Sequence, residues 1–167
     1  MLVEIPTLRG ERLILVPVRA EHAERLRTLR STPEVARWWE PPPDDDWPLT
    51  AEPDLHKLTV VVDGDVAGYV QFWEESDPGS RHADVDIFLG PDAQGRGLGT
   101  EAMRVVLRYL IDERGHHRVT LGTSVDNARA IRSYEKVGFR RVGVMRKAAR
   151  SHLSGEWEDE LLMEYVV

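Results

Sequence analysis

The stretch that decides the fold is Gln94-Gly95-Arg96-Gly97-Leu98-Gly99, which follows an apolar strand and precedes an amphipathic helix opening at Thr100. The first backbone N–H groups of a helix have no acceptor within it, and together with the positive end of the helix dipole they attract anions. Glycines let the backbone turn with positive φ and let a bulky anion come close, and Arg96 adds a cation. The stretch therefore predicts a cradle for a phosphate-bearing cofactor.

The spacing of the glycines argues against two common kinds of phosphate-binding loop. A P-loop ends in Gly-Lys-Ser or Gly-Lys-Thr, which is absent here. A dinucleotide fingerprint needs G-x-G-x-x-G early in a βαβ unit, whereas this loop reads G-x-G-x-G with no room downstream for such a domain. A flexible glycine-rich turn between a strand and a helix is the alternative interpretation of the loop taken alone.

Length and composition bound the class of protein. The 167 residues predict one domain spanning 1–167, and the absence of cysteine excludes disulfides, thiolate metal sites and a cysteine nucleophile. No apolar run approaches the ~20 residues of a membrane span, and residues 1–4 lack an export signal, so we expect a cytoplasmic protein without a membrane partner. We predict no metal site, because the adjacent His116 and His117 would point to opposite faces of a strand.

The charge distribution favours a cationic ligand. The formal net charge of −7 argues against a nucleic-acid partner, which requires clustered Lys and Arg. Six acidic residues and no Lys or Arg lie between Trp38 and Leu55, and five more acids lie between Glu74 and Asp86. Such segments predict an acidic cleft that attracts a cation, with a solvated acidic face as the alternative.

Apolar periodicity and turn residues divide the chain into alternating elements. We expect helices over 21–30, from Pro33 to Trp38-Trp39, after the glycine loop, and from an Asp126-Asn127 cap to Gly138, with an irregular loop over 40–54. The order predicts a mixed α/β (α+β) fold with a mostly antiparallel central sheet and helices on both faces. The predicted strands cover 13–18, 57–63, 66–74, 82–89, 118–123, 139–145 and 157–166.

A second motif follows the glycine loop at a fixed distance. It reads Asn127-x-x-Ala130-x-x-x-Tyr134-x-x-x-Gly138-Phe139. With both motifs, the whole chain resembles the GNAT superfamily of N-acetyltransferases. The resemblance implies that acetyl-CoA lies in a V-shaped split between two parallel strands, here 82–89 and 118–123, and leaves as CoA.

The same resemblance assigns cofactor roles by position. It implies that strand backbone pairs with pantetheine, that loop amides hold the pyrophosphate, and that an asparagine contacts the cofactor arm. The residues so implied are Ile87, Phe88, Leu89, Gln94, Gly95, Arg96, Gly97, Leu98, Gly99, Thr100 and Asn127.

Two residues are candidates for proton transfer. Tyr134 stands where the family's tyrosine hydroxyl faces the cofactor sulfur, where a phenol can protonate the departing thiolate. Asp86 is the candidate base that takes a proton from the acceptor ammonium, directly or through a water. The alternatives are a packed core aromatic for Tyr134 and a simple counter-charge for Asp86.

A narrower resemblance concerns the acceptor. Pro33-x-Val35-Ala36-x-Trp38-Trp39 and Trp73-Glu74-Glu75-x-Asp77-Pro78-Gly79-x-Arg81 are similar to aminoglycoside 6′-N-acetyltransferases. This implies a small cationic acceptor, the 6′-amine of an aminoglycoside first, and a role in antibiotic resistance. Carboxylates for ammonium groups and flat aromatic walls fit such a ligand, although the tryptophans can equally pack under the proline-rich loop. The acceptor residues so predicted are Trp38, Trp39, Trp73, Glu74, Glu75 and Asp159.

Other acceptors and another class of function stay open. Enzymes of the aminoglycoside group can carry an acid on the strand before the Asn-containing helix, but residues 121–125 hold none. The opening Leu8–Leu15 resembles enzymes that acetylate the N-termini of ribosomal proteins, and an acylated siderophore precursor is a third acceptor class. A non-catalytic acyl-CoA-binding protein is the alternative to an enzyme. Many relatives are dimers, so a homodimer is a candidate assembly.

Overall fold

The helices and strands are those of a computed structural model that describes residues 4–167; Met1, Leu2 and Val3, part of the predicted domain and N-terminal region, lie outside the described residues. The strands are β1 (Leu8–Arg9), β2 (Ile14–Pro17), β3 (Leu55–Val62), β4 (Asp65–Glu75), β5 (His82–Leu89), β6 (Arg118–Ser124), β7 (Arg140–Arg150) and β8 (Trp157–Val166). The α-helices are α1 (Ala20–Arg30), α2 (Pro33–Ala36), α3 (Leu98–Arg108) and α4 (Ala128–Val137), and a π-helical turn (Tyr109–Glu113) continues α3.

The eight strands form one sheet in the order β1-β2-β3-β4-β5-β6-β8-β7. Every neighbouring pair is antiparallel except β5 and β6, which run parallel. The predicted mixed, mostly antiparallel fold is thus confirmed. The two-residue β1 was not predicted, since so short a segment carries no periodicity, and β7 runs on to Arg150 rather than ending at residue 145.

The parallel strands separate soon after they meet. Only Ala83 with Val119 and Asp84 with Thr120 are in register, although β5 continues to Leu89 and β6 to Ser124. Beyond the second pair the facing edges of the two strands part, which confirms the predicted V-shaped split. The glycine loop follows the open end of β5.

Each face of the sheet has its own core. Strand alternation sends Val70 and Phe72 of β4 to one face, where they pack with α3 and α4, and sends Tyr69 to the other, where it packs with α1 and α2. We call these the α3 face and the α1 face. The helix stripe predicted after the glycine loop is buried on the α3 face: Leu98, Ala102, Val105, Val106, Tyr109 and Leu110.

A buried arginine fixes the irregular segment after α2. Arg30 of α1 donates from Nε to the Glu40 carbonyl at 2.8 Å and from Nη2 to the Pro41 carbonyl at 3.2 Å. Its guanidinium lies 4.5 Å from the ring centroid of Trp47 and 5.2 Å from that of Trp39. The acid- and proline-rich loop contains no helix or strand over 40–54, as predicted, and this arginine holds it against the α1 face. None of the helices within residues 4–167 has the length and apolarity that a bilayer crossing requires.

Candidate active site

The closed end of the split carries a side-chain hydrogen bond. Asp84 and Thr120 form the last register pair of β5 and β6, and Thr120 Oγ1 donates to Asp84 Oδ2 at 2.8 Å. This bond joins the two strands where they begin to part. Burial raises the pKa of Asp84 while the Thr120 hydroxyl opposes the rise.

Asp86 lies two residues further along β5 and therefore on the same α1 face, inside the open part of the split. Its Oδ1 accepts the Ile87 N–H at 3.0 Å. Burial, followed by the like charge of Asp84 and a smaller contribution from Glu160, raises the pKa of Asp86 to about 7, against the opposing effect of Arg30. A carboxyl group with this pKa is divided between its acid and base forms at neutral pH, as proton transfer requires.

A third carboxylate comes from β8. Glu160 pairs with Ser124 of β6, and its Oε2 lies 3.3 Å from the position that a Cβ on Gly122 would occupy. Burial and the charge of Asp84 raise the pKa of Glu160. Asp84, Asp86 and Glu160 thus form one acidic cluster across the split, which we call the acid triad.

Tyr134 approaches the split from the opposite side of the sheet. Its ring is buried in the α3-face core, with its centroid 6.2 Å from that of Phe139. Burial, and secondarily the negative charge of Asp86, raise the pKa of the Tyr134 phenol. The hydroxyl therefore stays protonated at neutral pH and is available as a donor.

The glycine loop has the backbone that the sequence predicts. Gly95 and Gly97 adopt φ of 74° and 75°, and Gly97 is the N-cap of α3. Residues 95–97 are exposed, so the accessible part of the loop lies directly before the first turn of α3, whose N–H groups have no acceptor within the helix. Gln94 fastens the loop to the end of β5, because its Nε2 donates to the Leu89 carbonyl at 2.9 Å.

Two further predicted cofactor residues have partners within the protein. The Asn127 side chain caps α4 by accepting the Ala130 N–H at 3.3 Å. The Thr100 hydroxyl lies 2.8 Å from that of Ser133, which links the starts of α3 and α4. Ile87, Phe88 and Leu89 line the edge of β5 beyond its last pairing with β6.

The three tryptophans that were predicted to bind the acceptor lie in different environments. Trp39 is half-buried against Tyr69 and Phe88, with centroids at 6.0 and 5.0 Å. Trp38 is half-buried beneath the guanidinium of Arg37, 4.5 Å from its ring centroid. Trp73 pairs with Asp84 across β4 and β5, so it lies on the α1 face, and its 38% exposure leaves its ring open to a ligand.

The predicted acids do not all join the triad. Glu74 follows Trp73 and therefore points to the α3 face, where Arg114 binds it through two hydrogen bonds of 2.9 and 2.8 Å. Asp159 accepts the backbone N–H of Lys147 at 2.8 Å, at the bulge between β7 and β8. Glu75 accepts the Asp77 N–H at 2.9 Å in the turn after β4. The structure thus leaves Glu74 and Asp159 outside the acidic cluster.

The sequence did not predict Asp84 and Glu160 as members of the acid triad. It also did not predict Arg30 as the residue that holds the loop over 40–54. Asp84 shares the alternation of His-Ala-Asp-Val-Asp with Asp86, which signals a common face. Glu160 has no such local signal, because its position depends on the pairing of β6 with β8. The stacking of Arg30 on Trp47 likewise depends on contacts distant in sequence.

This arrangement defines a class of protein. Three features are those of an acyl-CoA N-acyltransferase: a parallel strand pair that opens after two register positions, a positive-φ glycine loop before a helix, and a buried tyrosine whose pKa is raised by the charge of Asp86. The sequence profile of the family described as "Acetyltransferase (GNAT) domain" matches residues 12–140. The chain belongs to the GNAT acetyltransferase family, which uses acetyl-CoA as its acyl donor, and the resemblance inferred from the two motifs is confirmed.

Characterised relatives differ in their acceptors. The L-amino acid N-acetyltransferase AaaT of Escherichia coli is 30% identical over 149 residues, which cover 86% of this chain and 91% of that protein. The aminoglycoside N(6′)-acetyltransferase type 1 of Klebsiella pneumoniae is 31% identical over 108 residues, or 58% of this chain and 53% of that protein. The chain therefore matches about half the length of that relative.

A solved structure shares the fold at low identity. The spermidine N-acetyltransferase of Vibrio cholerae, in complex with CoA and spermine, superposes with a TM-score of 0.80 at 19% identity, covering 94% of this chain and 96% of that one. At this identity the similarity concerns the fold alone.

Proposed function

We propose that this chain transfers the acetyl group of acetyl-CoA to a primary amine of a small acceptor that carries several ammonium groups, with the 6′-amine of an aminoglycoside as the first candidate. The observation that carries the proposal is the acid triad on the α1 face, beside the open split. The charge of Asp84 raises the pKa of both Asp86 and Glu160, and Glu160 adds to the rise at Asp86, so the three carboxylates form a site that a polycation would stabilise. On this proposal antibiotic resistance is a consequence of the activity.

Asp86 and Tyr134 divide the proton transfers between them. The acceptor ammonium loses a proton to Asp86, directly or through a water, and the free amine attacks the thioester carbonyl carbon. The carbon–sulfur bond then breaks, and the thiolate takes a proton from the Tyr134 hydroxyl. The nitrogen of the new amide loses its second proton, which restores that hydroxyl, and Asp86 releases its proton to water. The overall reaction converts an ammonium and acetyl-CoA into an amide, CoA and one released proton.

The donor half of the proposal rests on the split and the glycine loop. Pantetheine would pair with the β5 backbone at Ile87, Phe88 and Leu89, where β6 no longer does. The pyrophosphate would bind the N–H groups of Gly95–Thr100 at the positive end of α3, where residues 95–97 are exposed. Asn127 would contact the cofactor arm from its capping position.

Glu160 supplies the acid that β6 lacks. No carboxylate occurs in residues 121–125, but Glu160 of the neighbouring strand lies over Gly122 of that same stretch. We therefore assign a second acceptor ammonium to Glu160, and the aminosugar ring to Trp73. Trp39 acts as part of the wall behind the site. Glu74, Glu75 and Asp159 are not included, because their carboxylates are bound elsewhere.

The α-amine of an amino acid is the second candidate acceptor, because AaaT is matched along 86% of this chain. An amino acid brings a carboxylate close to its amine, and that carboxylate would meet three like charges in the triad. A peptide N-terminus lacks this neighbouring carboxylate but offers only one cation. Electrostatics therefore favours the polyamine or aminosugar.

The proposal is tested by free-thiol release from acetyl-CoA across a panel of amines: kanamycin-type aminoglycosides, their 6′-hydroxyl analogues, spermidine, amino acids and short peptides. Turnover with 6′-amino compounds and none with 6′-hydroxyl analogues supports it. Turnover with amino acids or peptides alone contradicts the acceptor class. Acetyl-CoA binding without turnover on any amine indicates a non-catalytic acyl-CoA-binding protein.

A variant tests the acceptor assignment within that assay. Glu160→Gln should raise KM for a polycationic acceptor about tenfold, the effect of one partly buried charge pair, while KM for acetyl-CoA is unchanged. Glu156→Gln, which removes an exposed carboxylate four residues away, is the matched control. Equal acceptor KM values in the two variants would contradict the role of Glu160.

A further inference from the structure

Arg12, in the turn between β1 and β2, reaches across to the glycine loop. Its Nη1 donates to the Arg96 carbonyl at 2.7 Å, its Nε donates to Glu101 Oε2 at 2.8 Å, and its backbone N–H donates to Glu101 Oε1 at 2.7 Å. Glu101 belongs to the first turn of α3. One side chain thus binds both the loop and the helix that the loop precedes.

The partner of Arg12 is itself held in place. The Glu101 side chain is only 14% exposed, and a Cβ on Gly10 would lie 2.6 Å from its Oε1, so a side chain at position 10 would displace the Glu101 carboxylate. Burial alone would raise the pKa of Glu101, but the hydrogen bonds from Arg12 lower it. The Glu101 carboxylate thus accepts one charge-assisted hydrogen bond from the Arg12 side chain, which is 52% exposed, and one from the Arg12 backbone.

The bond to Arg96 fixes the orientation of one peptide group. In a trans peptide the C=O and the following N–H point in opposite directions. With the Arg96 carbonyl directed at Arg12, the Gly97 N–H must point away from Arg12. A freed carbonyl could instead rotate its partial negative charge toward the anion site.

We propose that Arg12 is a positioning residue for the acetyl-CoA diphosphate, holding the Arg96–Gly97 peptide so that its N–H faces the ligand and its carbonyl does not. The inference rests on the proposed assignment of residues 94–100 as the pyrophosphate loop. It also gives a role to the Leu8–Leu15 segment. That segment acts on the donor side, so its likeness to ribosomal-protein acetyltransferases does not argue for a peptide acceptor.

The test compares Arg12→Gln, Arg12→Lys and the control Arg108→Gln, which removes an exposed arginine further along α3. Arg12→Gln should raise KM for acetyl-CoA about tenfold, with acceptor KM and kcat at saturating acetyl-CoA near the wild-type values. Arg12→Lys, which can reach one partner but not both, should lie between. Arg108→Gln should match wild type.

A donor without the diphosphate separates positioning from a structural role. With S-acetylpantetheine the wild type and Arg12→Gln should have the same kcat/KM, because the loop then has no diphosphate to bind. An equal loss with both donors, or an unchanged KM for acetyl-CoA, would overturn the inference. Gly95→Val tests the loop itself. If that variant binds acetyl-CoA normally the loop assignment fails, whereas if it fails to bind while Arg12→Gln is normal, only the inference about Arg12 fails.

Discussion

An ionised carboxyl at position 86 should lower the stability of the folded chain, because burial disfavours its charge. Asp86→Asn should therefore be more stable than wild type at alkaline pH. The pKa of Asp86 is raised to about 7, against about 4 for a free aspartate. Three pKa units correspond to at most about 4 kcal/mol of differential stability, and relaxation of the site should reduce this to about 1–3 kcal/mol. Asparagine removes the charge and can still accept the Ile87 N–H.

The sign follows from proton linkage. Between pH 4 and pH 7 the Asp86 carboxyl is ionised in the unfolded chain but still holds its proton in the folded chain. The free energy of unfolding of wild type is therefore highest below pH 4 with respect to this group, and it decreases as pH rises from 4 to 7. The asparagine variant has no such loss. The difference in unfolding free energy should be near zero at pH 4, grow up to pH 7, and stay constant above it.

The assay is thermal and urea unfolding of both proteins at pH 5 and pH 8, together with thiol release at pH 8. In a domain of this size 1 kcal/mol is about 2–4 °C in Tm, so the gain is measurable. Activity should fall by about 10²–10⁴, the range for a lost general base. Asp45→Asn, at an exposed carboxylate, is the control. An identical stability difference at pH 5 and pH 8 would refute the electrostatic argument.

Three further predictions concern single side chains. Tyr134→Phe should lower kcat by up to about 10²-fold in steady-state thiol release with KM for acetyl-CoA little changed, and an unchanged kcat would leave Tyr134 only a packing role. Glu74→Gln should cost about 1–3 kcal/mol in urea unfolding while retaining acceptor KM, because its carboxylate serves Arg114; a raised acceptor KM without lost stability would return Glu74 to the acceptor site. His22 is a buried residue of α1, and burial lowers the pKa of its imidazole. Because the unfolded imidazole takes up a proton that the folded one does not, wild type should lose up to about 1 kcal/mol of stability relative to His22→Gln as pH falls from 7.5 to 5.5. A pH-independent difference in urea midpoints would contradict this.

Local patterns in the sequence predict the fold and the donor half of the candidate site. Strand alternation, the glycine loop and the Asn127 cap each depend on residues within one or two turns of one another. The positions of the candidate acceptor residues depend instead on which face of the sheet each strand residue occupies and on how the strands pair. Trp73 and Glu74 are both predicted as acceptor residues, yet the two-residue period of a strand sends these neighbours to opposite faces of the sheet.

In β8, strand pairing decides which of two neighbouring acids joins the acid triad. The sequence predicts Asp159 as an acceptor residue, whereas the neighbouring Glu160 is the acid whose pKa the charge of Asp84 raises, and Asp159 instead accepts the Lys147 N–H. The choice between the two neighbours follows from the pairing of Ser124 with Glu160, a contact over 36 residues that no local pattern encodes. The stacking of Arg30 between Trp39 and Trp47 is equally non-local.

The division of the molecule into an α1 face and an α3 face has a consequence for how such a protein can change. Tyr134 and α3 pack on one side of the sheet, and the acid triad, Trp73 and the loop held by Arg30 lie on the other. Substitutions in the α1-face wall therefore lie outside the contacts of α3 and α4, the helices to which we assign the acyl donor, although Trp39 also packs on Phe88 of β5. A mutational library confined to Trp38–Asp54 and Trp73 should yield new amine preferences while keeping thioester chemistry, which makes this layered design a scaffold suited to the laboratory evolution of acceptor choice.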